Sequence, residues 1–513
     1  MVVRNVLANY LGQGWSAFIG VIFIPAYVHY LGIESYGLIG LFAVMQASIA
    51  FLDMGMTPTL NREMARYTGR AHSPQSIRSL LRSLEALCFA VALVFGLGVW
   101  AASGYLASHW LNTQDLPVEV VAKALAVMAL VAALRFCEGI YRGSLFGLQR
   151  QVWYNGASTI LATLRHAGAL GVLAWISPTI QAFFLWQAVV SVLTVVVLAG
   201  KVHHVLPAAS VSPKIFSTRA LAGVWKFAGG MTSIALLSLL LTQSDKVLLS
   251  NLLPLKVFGY YSLAGSAAGS ILALVVPLNS ALYPRMVELF THGDQESLIT
   301  LYHAGAQIVT CLTAPIMALM AFFAEGILFV WSGDVGLARE TAPLLSVLAL
   351  GTFLNGLMQV PYHLQLAHGW TGLSIKVNIV AVLLLIPAIL WVAPRFGALG
   401  AAWIWVVLNG GYVLCAVQFM HQRLIPHEKW RWYFLDVLLP ASGAIGAAML
   451  AQQLQPATYQ ERMRWFIFLA LAGLLVLSVT ILLADRVRDR VRDMLRPVAL
   501  RCASSQVNAS RNG

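Results

Sequence analysis

A chain of 513 residues that is 59% hydrophobic and 10% charged, with a mean hydropathy of +0.77, lies far from the roughly one-quarter charged composition of soluble domains. This argues against a set of water-soluble domains. It also argues against nucleic acid as the reason for the +13 net charge, since basic residues in so apolar a chain record membrane topology.

About fourteen apolar segments follow one another, each near or above the ~20 residues that a bilayer-spanning helix needs. In chain order they are 5–31, 36–56, 83–107, 118–141, 155–177, 181–201, 226–250, 258–282, 302–323, 341–364, 372–393, 398–420, 433–453 and 465–484. The predicted fold is an all-α integral membrane protein. Its first segment, within MVVRNVLANYLGQGW and beyond, reads as a retained span and not a cleaved signal, because no small-x-small cleavage pattern closes it. With both termini cytoplasmic, cytoplasmic segments hold 24 of the 33 Lys and Arg and external loops hold 6, the asymmetry expected of that orientation. The longest polar stretches, 57–82, 201–226, 283–302 and 485–513, fall short of the ~50 residues of an ordinary domain. Function is therefore expected inside the bundle.

An ungapped overlay of the segment from Tyr36 on that from Phe258 pairs Gly37 with Gly259, Leu41 with Leu263, Ile49 with Ile271, Leu60 with Leu282 and Met64 with Met286. Two halves of six spans, 1–201 and 226–420, follow from this repeat. They are joined by a linker at 202–225, and a final pair of spans over 421–484 and a basic tail at 485–513 complete the chain. In the tail, Val487, Val491, Met494, Leu495 and Val498 recur at helical spacing among arginines, which suits either an interfacial helix or a solvated extension of the last span. Cys88, Cys137, Cys311 and Cys415 fall in apolar spans and Cys502 in the tail, so disulfides and a thiolate metal site are not expected. The sequence holds no GxxxxGK[ST], HExxH or paired CxxC, and its external loops are too short for a catalytic ectodomain. Transport or lipid translocation is left as the leading class, and the protein is not expected to be an enzyme.

A charge near mid-membrane costs at least ~2.5 kcal/mol and so marks a cavity or a partner. Arg135, Glu138 and Arg142 are spaced i, i+3, i+7, which places them within about 60° on one helix face. Arg165 and His166 sit halfway along the next span, where Arg165 either lines a cavity or pairs with Glu138. Asp245, beside Lys246, is either a polar helix end or an acid that binds a coupling ion. Asp53 is followed by Arg62 and Arg66, and an ion pair that sets helix and loop geometry is the expected role, making Asp53 and Arg62 structural or gating candidates. Pro25, Pro277, Pro315 and Pro361 should bend their spans, and Trp465 with most other tryptophans reads as an interfacial belt residue.

The segment NYLGQGWSAFIGVIFIPAYVHYLGIESYGLIGLFAVMQASIAFLDMGMTPTLNREMAR, with YRGSLFGLQRQVWYN and TQSDKVLLSNLLPLKVFGYYSLA further on, resembles bacterial polysaccharide flippases. These are the Wzx-type O-antigen and exopolysaccharide transporters of the multidrug/oligosaccharidyl-lipid/polysaccharide (MOP) superfamily, which also includes MATE exporters and the lipid II flippase. The resemblance implies two six-helix lobes plus two C-terminal helices in the bacterial inner membrane. The implied activity is movement of a polyprenyl-pyrophosphate-linked oligosaccharide from the cytoplasmic to the outer leaflet, beside polysaccharide polymerase and chain-length machinery. It implies no cofactor beyond a coupling ion, H⁺ or Na⁺. A polar, cationic cavity is what such a cargo demands, and Arg135, Arg142, Arg165 and His166 are the candidate substrate contacts. Glu138 and Asp245 are the candidate coupling acids. The competing readings are a MATE-like organic-cation antiporter, which should favour acids in its cavity, a membrane-embedded polymerase, and an assembly factor.

Overall fold

The computed structural model describes residues 2–53, 55–68, 72–206, 225–370, 372–456, 458–459, 461–490 and 492–493. Most of the expected linker, and Val491, Met494, Leu495 and Val498 of the expected tail helix, lie outside the described residues. Among those described, the elements are helical and the one β contact is an isolated bridge between Asn112 and Pro254. Among the described residues eleven helices are long and apolar enough to cross a membrane, so the chain is a multi-pass membrane protein as its composition indicates.

In chain order the helices are α1 (Val2–Ile22), α2 (Ile24–Phe51), α3 (Met56–Thr68), α4 (Pro74–Tyr105), α5 (Val118–Gly147), α6 (Gln151–Trp175), α7 (Ile180–Val205), α8 (Trp225–Leu252) and α9 (Leu255–Ala273). Then come α10 (Val275–His292), α11 (Gln295–Phe322), α12 (Ala324–Ser332), α13 (Val335–Leu357), α14 (Gln359–Ala367), α15 (Gly372–Gly411), α16 (Val417–Leu424), α17 (Leu439–Gln452) and α18 (Arg462–Leu483). Helix breaks fall where the sequence dictates. A proline lacks the N–H that would bond four residues back and crowds the carbonyl there. Helices α1, α9 and α13 end accordingly three or four residues before Pro25, Pro277 and Pro361, whereas Pro315 stays within a continuous α11. Kinks inside α2 and α15 sit at Gly32 (φ 78°) and Gly397 (φ 62°), a left-handed conformation open to glycine. The kink in α15 divides the expected spans 372–393 and 398–420. The polar stretch expected over 57–82 instead supplies a separate helix, α3, and the first turns of α4, whose N-terminus is capped by Ser73.

Packing divides the chain into two compact units, Met1–Leu263 with Ala381–Ala401, and Ala264–Val380 with Ala402–Gly513. In the first, α3, α4 and α7 pack around α5, whose Val121, Ala124, Leu125, Met128 and Ala132 are fully buried. Small residues suit this position because helices in lipid associate by close van der Waals approach. The internal repeat also meets itself here. A Cβ on Gly37 would lie 2.6 Å from the Leu255 carbonyl, and a Cβ on Gly259 would collide with that of Ile33, while Gly40 faces Ser262. Under the 222-residue offset of the overlay, Ile33 corresponds to Leu255, Gly37 to Gly259 and Gly40 to Ser262, so the contact is reciprocal, as a local two-fold relation requires.

In the second unit α11 is the buried element, packed by α13, α17 and α18. Trp465, expected in an interfacial belt, is instead 1% exposed, stacked on Tyr459 and seated over Gly326.

Candidate functional site

The site is built on α5 in the first unit. Gly139, Gly143 and Gly147 form a stripe along one face of this helix, and α3 lies against it. A Cβ on Gly143 would stand 2.5 Å from the Thr57 carbonyl, and one on Gly147 would strike that of Asn61. The absence of these side chains lets α3 approach α5 at backbone contact. Helix α3 is also fastened at its start. Gly55 (φ 76°) turns the chain, and the Asp53 carboxylate accepts from the Thr57 amide at 3.1 Å and the Thr57 hydroxyl at 2.8 Å. Asp53 is thus a helix cap, not the partner of Arg62 or Arg66. Those two arginines stand beside Glu63, at 3.7 and 3.0 Å, with His72 at 2.7 Å. Burial at 2% exposure pushes the Glu63 carboxyl up, but the hydrogen bonds and charges of His72 and Arg66 together hold it below the usual carboxylate range.

Between these elements lie two chambers. The first, about 320 Å³, is lined by Gln46, Asp53, Thr57, Pro58, Phe136, Gly139, Arg135 and Arg142. The second, about 650 Å³, shares Thr57, Pro58 and Arg142 with it and continues along Gly12, Gln13, Ser16, Asn61, Phe146, Tyr154, Asn155 and Ser158. Arg142 stands at their junction, exposed and with no hydrogen bond or ion pair among the described residues. The second chamber is lined by amides, hydroxyls and two aromatic rings, a combination able to hydrogen-bond a polyhydroxylated ligand while covering its apolar faces.

The sequence candidates separate into two groups. Arg135 and Arg142 line the first chamber. Arg135 is not paired with Glu138; it donates to the amide oxygens of Gln46 at 2.9 Å and Gln187 at 2.7 Å, lies over the Phe42 ring at 5.1 Å, and has its buried Nε unpartnered. Glu138 takes Arg165 instead, at 3.2 Å, with Thr194 at 3.4 Å from the same guanidinium nitrogen. Arg165 and His166 line neither chamber; His166 meets the Tyr27 hydroxyl at 3.0 Å. Among the residues that line the chambers, two guanidiniums, Arg135 and Arg142, stand against the one carboxylate of Asp53, and neither makes a direct ion pair. Asp245 lines neither chamber. Its Oδ2 accepts from Tyr261 at 3.0 Å, while its Oδ1 is buried without a hydrogen-bond partner.

Residues 2–290, more than half of the chain, match the family described as "Polysaccharide biosynthesis protein". The chain belongs to that family. The chain is 20% identical over 79% of its length to the "Putative O-antigen transporter" of Shigella flexneri, 94% of which it covers. Its fold is similar to that of the lipid II flippase MurJ in an inward closed conformation, with a TM-score of 0.71 over 94% of this chain and 98% of that one at 12% identity. It is likewise similar to an inward-facing MATE family multidrug resistance transporter of the MOP superfamily, with a TM-score of 0.64 over 81% and 96% at 14% identity. These likenesses establish the fold: an all-α, multi-pass membrane protein of the MurJ and MATE type.

The reading of charged residues missed Gln46, Gln187, Thr57, Asn61 and the glycine stripe. The Gly-x-x-x-Gly-x-x-x-Gly spacing of 139, 143 and 147 was available as a signal of close helix approach. The two glutamines carry no local signature, because an amide in a span looks the same whether it packs against lipid-facing neighbours or holds a guanidinium.

Proposed function

We propose that this membrane protein moves polyprenyl-pyrophosphate-linked oligosaccharides from the cytoplasmic to the outer leaflet of a bacterial inner membrane, with both termini cytoplasmic. The observation that carries the reading is Arg142, an exposed guanidinium with no direct hydrogen bond or ion pair, at the junction of two polar chambers, with the carboxylates of Asp53 and Glu138 near enough to feel its charge. A pyrophosphate crossing hydrocarbon needs fixed positive charge, since an unpaired charge in lipid is prohibitively costly. The planar fork of Arg binds phosphate oxygens in pairs. In this account Arg142 and Arg135 take the pyrophosphate, the sugars lie along Asn61, Tyr154, Asn155 and Ser158, and the prenyl tail stays in lipid. Alternating access of two six-helix lobes, 1–201 and 226–420, would carry the site across the membrane, with the pair over 421–484 outside that exchange.

Asp245 suits the role of coupling acid better than Glu138. Glu138 is ion-paired with Arg165, whereas one oxygen of Asp245, with Lys246 as its neighbouring cation, is buried without a hydrogen-bond partner, a need that H⁺ or Na⁺ would meet. A polymerase and chain-length machinery are the expected partners, as consumers of the translocated unit. The test is transport in proteoliposomes holding the purified protein, offered either a polyprenyl-pyrophosphate glycan or an organic cation such as ethidium under an imposed ion gradient. Movement of the glycan lipid, lost in Arg142→Ala, supports the reading. Movement of the cation alone replaces it with an antiporter.

A further inference from the structure

The second unit holds a buried ionisable cluster that the chambers of the first do not use. His303 on α11 is fully buried, and its two ring nitrogens face different carboxylates. Nδ1 meets Asp436, and Nε2 lies 2.9 Å from Glu428. Asp436, also fully buried, stands in the π turn Trp432–Leu438 that leads into α17, while the Glu428 side chain just before it is 22% exposed. Gln307, one turn along α11 from His303, donates to Asp436 at 3.0 Å and to Asp485, and accepts from the Arg486 amide at 3.0 Å. The start of α11, the approach to α17 and the chain leaving α18 are thereby joined at one place.

The geometry sets a proton count. An ionised carboxylate oxygen and an unprotonated ring nitrogen are both acceptors only. Two contacts, one at each ring nitrogen, therefore need two protons, whether both are on the ring or one is on a carboxyl group. Removing either leaves a buried lone pair facing a carboxylate oxygen, which loses a charge-assisted bond and leaves an acceptor unsatisfied. Among the described residues, other charged and titratable groups surround the cluster. Arg431 lies 3.9 Å from Glu428, and Arg486 and Asp485 stand by Gln307. Tyr302 bonds His421 at 3.1 Å, and Lys429 and Tyr433 flank those two.

We propose that His303, Asp436 and Glu428 form a proton-binding clasp that holds the approach to α17 against α11, with the end of α18 tied to it through Gln307 and Asp436, and that loosens when one of its two protons is lost. The proton leaves to water along Glu428, the member that reaches solvent, and no other bond changes.

The experiment is hydrogen–deuterium exchange of the full chain in nanodiscs at pH 6 and pH 9, corrected for intrinsic rates, with α7 as the control helix. The clasp predicts exchange on the order of tenfold faster at pH 9 over 425–438 and 480–490, the scale set by one lost charge-assisted bond, while α7 is unchanged. Glu428→Gln removes the need for the second proton, because its amide can donate to an unprotonated Nε2, so this variant should lose the pH step. Glu428→Ala, at a position open to solvent, should lose it as well. Exchange that tracks α7 at both pH values in the unmodified protein overturns the proposal, as does a full pH step in either variant.

Discussion

Two arginines one helix apart separate structure from transport. Arg165 neutralises Glu138 at 3.2 Å, so Arg165→Ala strands a carboxylate inside the bundle and should lower thermal stability by on the order of 3 kcal/mol. Arg165→Met combined with Glu138→Gln should recover most of that loss, which a melting curve of the purified protein would register. Arg142 has no such partner. Arg142→Ala should leave protein level and melting temperature unchanged while reducing glycan export about 10- to 100-fold, the scale of a lost charge-assisted contact. Arg142→Lys, which keeps the charge but not the fork, should fall between. Sequence alone put Arg135, Glu138 and Arg142 on one face because helical periodicity is a local property. It could not assign their partners, since Gln46, Gln187 and Arg165 come from other helices, and which of three charges takes which neighbour is settled only by packing.

At the scale of elements, the site depends on how closely α3 lies against α5. Gly143→Ala places a Cβ 2.5 Å from the Thr57 carbonyl. It should push α3 outward, costing about 1–3 kcal/mol as overpacking does and reducing export through the displaced Thr57 and Asn61. The paired outcome to check is a lower melting temperature with normal membrane insertion. Glu63 holds the far side of α3. Because its folded carboxyl titrates below the usual range, its contribution is present above the unfolded value of about 4.3 and is lost as pH falls through the lower folded value. The stability gap between the unmodified protein and Glu63→Gln should thus be constant near neutrality and shrink below about pH 4.3, read by melting temperature against pH. Helix α3 was concealed in the sequence because its polar residues read as loop. Spans were legible, since twenty consecutive apolar residues admit few alternatives, and Pro25, Pro277 and Pro361 marked where they break.

For the molecule as a whole, composition was enough to decide the class, whereas the contact between the repeated segments, Gly37 with Leu255 and Gly259 with Ile33, appears only in the structure. The division into units was less accessible. Residues 381–401 pack with the first unit although they lie far along the chain, and nothing in the apolar composition of that stretch distinguishes it from its neighbours. The cargo is the central claim, and leaflet-resolved mass spectrometry of polyprenyl-linked oligosaccharides tests it most directly. Membranes from cells carrying the unmodified protein, lacking it, or carrying Arg142→Ala would each be probed with an impermeant glycosidase. The account predicts that a complete repeat unit accumulates on the cytoplasmic face in both defective strains. An unchanged amount and sidedness of every such lipid in the strain lacking the protein would contradict it.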